Sequence, residues 1–122
     1  MPPVFLPIRT VSEANTHEHW RGRHKRAKEQ RRITLLLLRH TLGNKPPPPP
    51  VVVTLTRLAP SAGLDRHDNL RASLKSTADG VQDYLGVNDR DIDFRYAQER
   101  APTYGVRVSI EPATAQETGR AD

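Results

Sequence analysis

Cysteine is absent from the chain, which excludes disulfides and every zinc site built on thiolates. A disulfide-free chain suits a reducing cytoplasm, and a cytoplasmic protein is expected. Aromatic residues are scarce, with one Trp, three Tyr and two Phe, and hydrophobic residues make up 35% of the 122. That is material for one modest core, so a single domain over 1–112 is expected, followed by a polar tail over 113–122. So thin a core makes burial against a second copy useful. The strongest apolar runs, Ile33 to Leu38 and Val51 to Leu55, are far shorter than the ~20 residues that cross a bilayer, so no membrane partner is expected. The opening MPPVFLPIRT lacks a charged segment followed by an apolar one, and no secretory signal is expected. Nor is there a Gly-rich phosphate loop, a Ser-His-Asp ordering or a nucleophile elbow, and no small-molecule cofactor is expected.

What the chain has is charge, unevenly spread. From Trp20 to Arg32 seven cations (Arg21, Arg23, Lys25, Arg26, Lys28, Arg31 and Arg32) face Glu29 alone, a local +6 against a net +5 for the whole chain. From Asp65 to Asp93 there are seven aspartates against Arg66, Arg71, Lys75 and Arg90. One region is built to meet negative charge and the other concentrates it. A metal-using enzyme that acts on nucleic acid needs both.

Periodicity gives the order β-α-β-α-β-β, an α/β or α+β domain with a small mixed sheet packed by two main helices. Val4 to Thr10 reads as an edge strand. A helix is expected from about His17 to Leu42, with Trp20, Ala27, Thr34 and Leu38 at helical spacing and Gly43-Asn44 as its stop. Leu35 to Leu38 is apolar on every side, so that end is expected to be buried or covered by a partner. Pro46 to Pro50 reads as an extended polyproline II connection rather than an SH3 ligand, because strand signals follow at once. Val51 to Leu58 is expected as a central strand with one face turning polar at Thr54, Thr56 and Arg57. Asp68 or Asn69 then caps a helix with a buried stripe of Leu70, Leu74, Ala78, Val81 and Leu85, ended by Gly86. Asp91 to Glu99 and Tyr104 to Glu111 are expected to pair as a hairpin.

The stretch LDRHDNLRASLK, Leu64 to Lys75, sets Asp65 and Asp68 at the entrance of that second helix. One short acceptor suffices for a cap, so Asp65 is surplus. Asp89 follows the helix in LGVNDRD. If these carboxylates converge, their repulsion requires a cation, and all-oxygen ligation favours Mg²⁺ or Mn²⁺. Lys75, seven residues after Asp68, shares its helix face and suits a phosphate. The plainer reading is an Asp cap with a solvated lysine, and spacing alone favours it.

The second half, LDRHDNLRASLKSTADGVQDYLGVNDRDIDFRYAQER followed by YGVRVSI, resembles the RusA-type Holliday junction resolvases of phages and prophages, over roughly Val51 to Ile110. RTVSEANTHEHWRGRHKRAK is similar, more loosely, to that family's basic N-terminal region. The resemblance implies a homodimeric, Mg²⁺-dependent endodeoxyribonuclease that resolves four-way or branched DNA by paired nicks, using three aspartates and a lysine. Asp68, before the Asn-Leu pair, and Asp89, in the loop after the helix, match directly. Asp65 stands for the first aspartate, although two residues rather than one separate it from Asp68. The family's lysine lies four residues after the second aspartate, where this chain has Ala72, and Lys75 is its substitute on the same face.

On this reading Asp65, Asp68 and Asp89 hold the metal, Lys75 steadies the phosphate, and the seven cations from Arg21 to Arg32 grip the DNA backbone with Trp20 stacking on an exposed base. His17, His19, His24 and His67 are expected at the surface or on phosphate. Asp91 and Asp93 are expected on a wet strand face, and Asp79 and Asp83 as solubilising residues away from the site. The rival is a non-catalytic DNA- or RNA-binding protein on the same fold with a degenerate metal site.

Overall fold

The computed structural model describes residues 1–10, 20–60 and 69–113. Two helices pack on one face of a four-stranded mixed sheet, in the chain order β1 (Val4–Leu6), α1 (Trp20–Leu42), β2 (Val51–Ala59), α2 (Asn69–Leu85), β3 (Ile92–Arg100) and β4 (Gly105–Pro112). A single 3₁₀ turn, Asp89–Asp91, leads into β3. This is the expected α+β class and element order. No described helix is long and apolar enough to cross a membrane.

The strand order is β1-β4-β2-β3. β2 is interior, as its apolar run requires, and it is buried along nearly its whole length. The expected hairpin is absent. β3 pairs with β2 in parallel, and β4 pairs with the other edge of β2 antiparallel. The most apolar strand needs ladder partners on both edges, so it lies between the two strands that are neighbours in sequence. β1 is shorter than expected. Pro7 cannot donate to a ladder, and the Ile8 N–H turns back on the Leu6 carbonyl at 2.8 Å, although Ile8 and Thr10 stay buried.

Under the helices lies one core: Val51, Val53 and Leu55 of β2, Val106, Val108 and Ile110 of β4, Val4 and Leu6 of β1, Leu38 of α1, and the α2 stripe Leu70, Leu74, Ala78, Val81 and Leu85. The α2 stripe is the one expected. On α1, Thr34 and Leu38 are buried while Ala27 is exposed. Of the leucine run, Leu38 is buried, Leu35 and Leu37 pack partly against the core, and Leu36 remains 47% exposed. Gly43 (φ 92°) and Gly86 (φ 68°) end the helices in the left-handed conformation, which glycine enters without steric cost.

The expected polar face of β2 is corrected in both directions. Strand alternation puts Arg57 on the helix side, where it is buried and its Nε donates to Thr10 Oγ1 at 2.9 Å. Thr56 and Leu58 point the other way and are buried too. The Arg107–Glu99 ion pair, 2.6 Å, crosses over β2 from the residue beside Thr56 to the residue beside Leu58. Long charged side chains thus cover the open face. The polyproline run bends at Pro49 and Pro50, joined by a cis peptide bond, so it is not a straight polyproline II spacer throughout.

Candidate nucleic-acid interface and metal centre

α2 buries one stripe, and the flank beside that stripe carries its charge. Arg71, Lys75 and Asp79 follow one another at one-turn spacing. They face the helix side of β3, an edge strand that presents Phe94 and Tyr96 there, each half-buried. Between them runs a cleft of about 340 Å³, lined also by Ala72, Ala78, Gln82 and Asp89. Asp89 enters from the C-terminal end of α2, where the Gln82 amide donates to the Val87 carbonyl at 3.3 Å. The Arg71 guanidinium lies 5.0 Å over the Tyr96 ring.

A second cleft, of about 480 Å³, lies between the helices and is lined by Arg23, His24 and Ala27 of α1 with Ser76 of α2. Ala72, Lys75 and Asp79 line both clefts, so the two clefts flank α2 and share Lys75, with Arg23 and His24 on one side and Asp89 on the other. The Lys75 amine donates to Asp79 at 3.4 Å and its side chain is 77% exposed. Exposed i,i+4 pairs contribute only about 0.3–0.5 kcal/mol, so Asp79 parks Lys75 without immobilising it.

The helices are clamped beside these clefts. Arg31 makes two bonds to Asp83, at 2.6 and 2.8 Å, and the Ser76 hydroxyl donates to Gln30 at 2.6 Å. The hydrogen bond from Arg31 holds the Asp83 carboxyl below the usual range, against the opposing effect of partial burial. In the same bond the Arg31 guanidinium is held more firmly protonated.

Of the residues the sequence singles out, Lys75 and Asp89 share the cleft, while Asp65, Asp68, His67, His17 and His19 lie outside the described residues. Trp20 opens α1, and its side chain lies outside the description. Arg23, Lys25 and Lys28 have no ion-pair partner among the described residues, whereas Arg32 pairs with Glu29 at 3.2 Å and Arg31 is committed to Asp83. Arg21 and Arg26 have interactions of their own. Asp93 lies on the wet face and pairs with Arg95 at 3.0 Å, as expected, while Asp91 belongs to the turn before the strand. Asp79 and Asp83 are not mere solubilisers, since one lines the cleft and the other joins the helices. Asp79 stands four residues from Lys75, a spacing visible in the sequence. Arg71, Phe94 and Tyr96 carried no signal, because only the fold brings α2 beside β3.

The cleft's acidic donors, Asp79 and Asp89, are carboxylates of the kind Mg²⁺ takes. Among the described residues no three Asp, Glu or His side chains gather to hold an ion, and Asp65 and Asp68 lie outside them. No protein-family model matches the chain, and no curated protein matches its sequence.

Proposed function

We propose that this chain is a Mg²⁺-dependent, structure-selective endodeoxyribonuclease that acts on branched DNA, as its resemblance to the RusA-type resolvases implies. The observation that carries this reading is the pair of clefts that share Lys75, one lined by Arg23 and His24 and the other by Asp89. α1 supports it. From Trp20 to Arg32 seven cations face Glu29 alone, a charge excess that a phosphate backbone along α1 would neutralise. Arg23, Lys25 and Lys28 then track the backbone, and Lys75 swings from Asp79 to the scissile phosphate. Asp65, Asp68 and Asp89 would hold Mg²⁺, which supplies Lewis-acid activation of water against the phosphodiester.

A two-fold dimer suits a four-way junction, with one nick from each subunit. The open edge of β3 supports it, since antiparallel pairing with a second copy centred on Ala97 sets Arg95 opposite Glu99 twice.

The second reading, a binder without catalysis, rests on the altered spacing, with two residues between Asp65 and Asp68 and Ala72 where the family has its lysine. One experiment separates the two. A labelled four-way junction is incubated with and without Mg²⁺, beside Asp68→Asn, Asp89→Asn and Lys75→Ala. Paired, Mg²⁺-dependent nicks that both aspartate variants abolish, and that Lys75→Ala slows at least tenfold, are expected. Tight binding with the junction left intact in Mg²⁺ and in Mn²⁺ would establish the binder.

A further inference from the structure

The chain has six aromatic residues, and two of them stand on an edge strand where they pack partly against the core and also line a cleft. Phe94 and Tyr96 stand two residues apart on the helix side of β3, with ring centroids 6.4 Å apart and planes inclined by 24°. Packed partly against the core beneath, they leave an apolar floor to the cleft. The Arg71 guanidinium covers a face of Tyr96 at 5.0 Å and would exchange that ring for a phosphate when a base takes its place, and Lys75 follows one helical turn later, so cationic donors rim the same floor. A flat apolar surface next to phosphate-binding groups matches a nucleotide: the rings take the base face, and the guanidinium and amine take the phosphate. The volume of about 340 Å³ is near the lower end of ligand sites, ~300–1,000 Å³. It is room enough for one nucleotide.

We infer that the cleft between α2 and β3 binds a single unpaired nucleobase, stacked against Phe94 and Tyr96, with its phosphate on Arg71 and Lys75. This rests on the nucleic-acid reading above and deepens it by making an unstacked base the feature that is recognised. The base belongs to a strand rather than to a free nucleotide, because Lys75 also lines the neighbouring cleft with Arg23 and His24 of α1, which offers places for further phosphates. Duplex DNA keeps its bases stacked and offers nothing to this floor, whereas a branch point exposes them.

The test uses the full chain in EDTA, so that binding is read without cleavage. A four-way junction carries 2-aminopurine unpaired at the branch, a duplex carries it fully paired, and deoxyadenosine monophosphate serves as competitor. Binding is expected to change the fluorescence of the junction probe and leave the duplex probe unaltered. Tyr96→Leu and Phe94→Leu should abolish the change and weaken junction binding about tenfold, within the range for loss of one stacked base. Tyr96→Phe should retain both, which separates stacking from loss of fold, and the salt dependence should not move because the phosphate contacts remain. Junction binding with an unchanged signal, or leucine variants that bind like the parent, would overturn the stacking site and leave the nucleic-acid reading standing. Competition by the monophosphate at the oligonucleotide's own concentration would overturn the assignment to a strand. Failure to bind any DNA probe would sink both readings together.

Discussion

Gly80 is where single atoms decide how closely the helices approach. A Cβ placed there would lie 2.6 Å from Thr34 Cβ and 2.7 Å from the Arg31 carbonyl oxygen. The second contact is backbone, so no rotamer change relieves it. Alanine gains up to ~1 kcal/mol over glycine inside a helix, while overpacking a fitted contact costs ~1–3 kcal/mol. Gly80→Ala is therefore expected to lower the urea midpoint, against the propensity ranking, whereas a midpoint that rises would mean the helices can part without loss. Thr77 should behave in the opposite sense. Its hydroxyl is buried without a hydrogen-bond partner among the described residues, and removing such an orphan recovers ~1 kcal/mol or more. Thr77→Val is expected to raise the midpoint. Neither position is legible in the sequence, where Gly80 reads only as a weak spot in a helix. Gly43 and Gly86 were legible because a helix stop is a local rule.

At the scale of elements, polar contacts between the helices hold the α1–α2 cleft together. Arg31–Asp83 and Gln30–Ser76 join their flanks, and the Tyr84 hydroxyl donates to the Gly43 carbonyl at 2.9 Å beyond the end of α1. Burial raises the Tyr84 pKa, so this donor stays protonated through the neutral range. Asp83 has the acid dependence. Its folded-state pKa is depressed by Arg31, so its contribution is fully present above the unfolded carboxylate value of about 3.9 and fades as pH falls through the lower folded value. The pair is partly exposed, with side chains 51% and 33% accessible, which limits it to about 0.5–1 kcal/mol. Asp83→Asn should lose that much stability at pH 7 and little at pH 2, measured by urea denaturation at both. An equal loss at the two values would show that the helices do not depend on the charge. Helices were the legible part of this fold because their stripes are written in 3.6-residue spacing. Strand pairing was not. β3 and β4 read as a hairpin because only a short turn separates them, yet the ladder partners of β2 were settled by its need for two covered edges. The same limit hid half of the cleft: Lys75 and Asp89 could be named from the sequence, but Phe94 and Tyr96 reach Lys75 only through the crossover that brings β3 beside α2.

For the whole molecule, the proposed dimer needs a surface on which two copies meet, and the edge strands offer one. β1 offers three residues and β3 nine. A nine-residue edge with no ladder partner among the described residues is a template for another strand unless its charges forbid it. The wet face of β3 carries Asp93, Arg95, Ala97 and Glu99, whose signs discriminate between antiparallel registers of two copies. Centring on Tyr96 opposes Asp93 to Glu99, and centring on Arg95 opposes that arginine to itself, both repulsive. Centring on Ala97 opposes Arg95 to Glu99 in both halves and sets Gln98 of each copy beside Tyr96 of the other. The sheet would then continue across the axis with its helices on one side, and the two clefts would lie next to each other, as two nicks at one branch point require. Arg95→Glu should abolish dimerisation by placing like charges in both halves, and Glu99→Lys should do the same. An equimolar mixture of the two variants restores an attractive pair at each position and should dimerise where neither variant does alone. Sedimentation velocity at tens of micromolar reads all three samples, with circular dichroism confirming that each variant is folded. A mixture that stays monomeric while the parent chain dimerises would move the interface away from β3, and a monomeric parent would remove the dimer altogether.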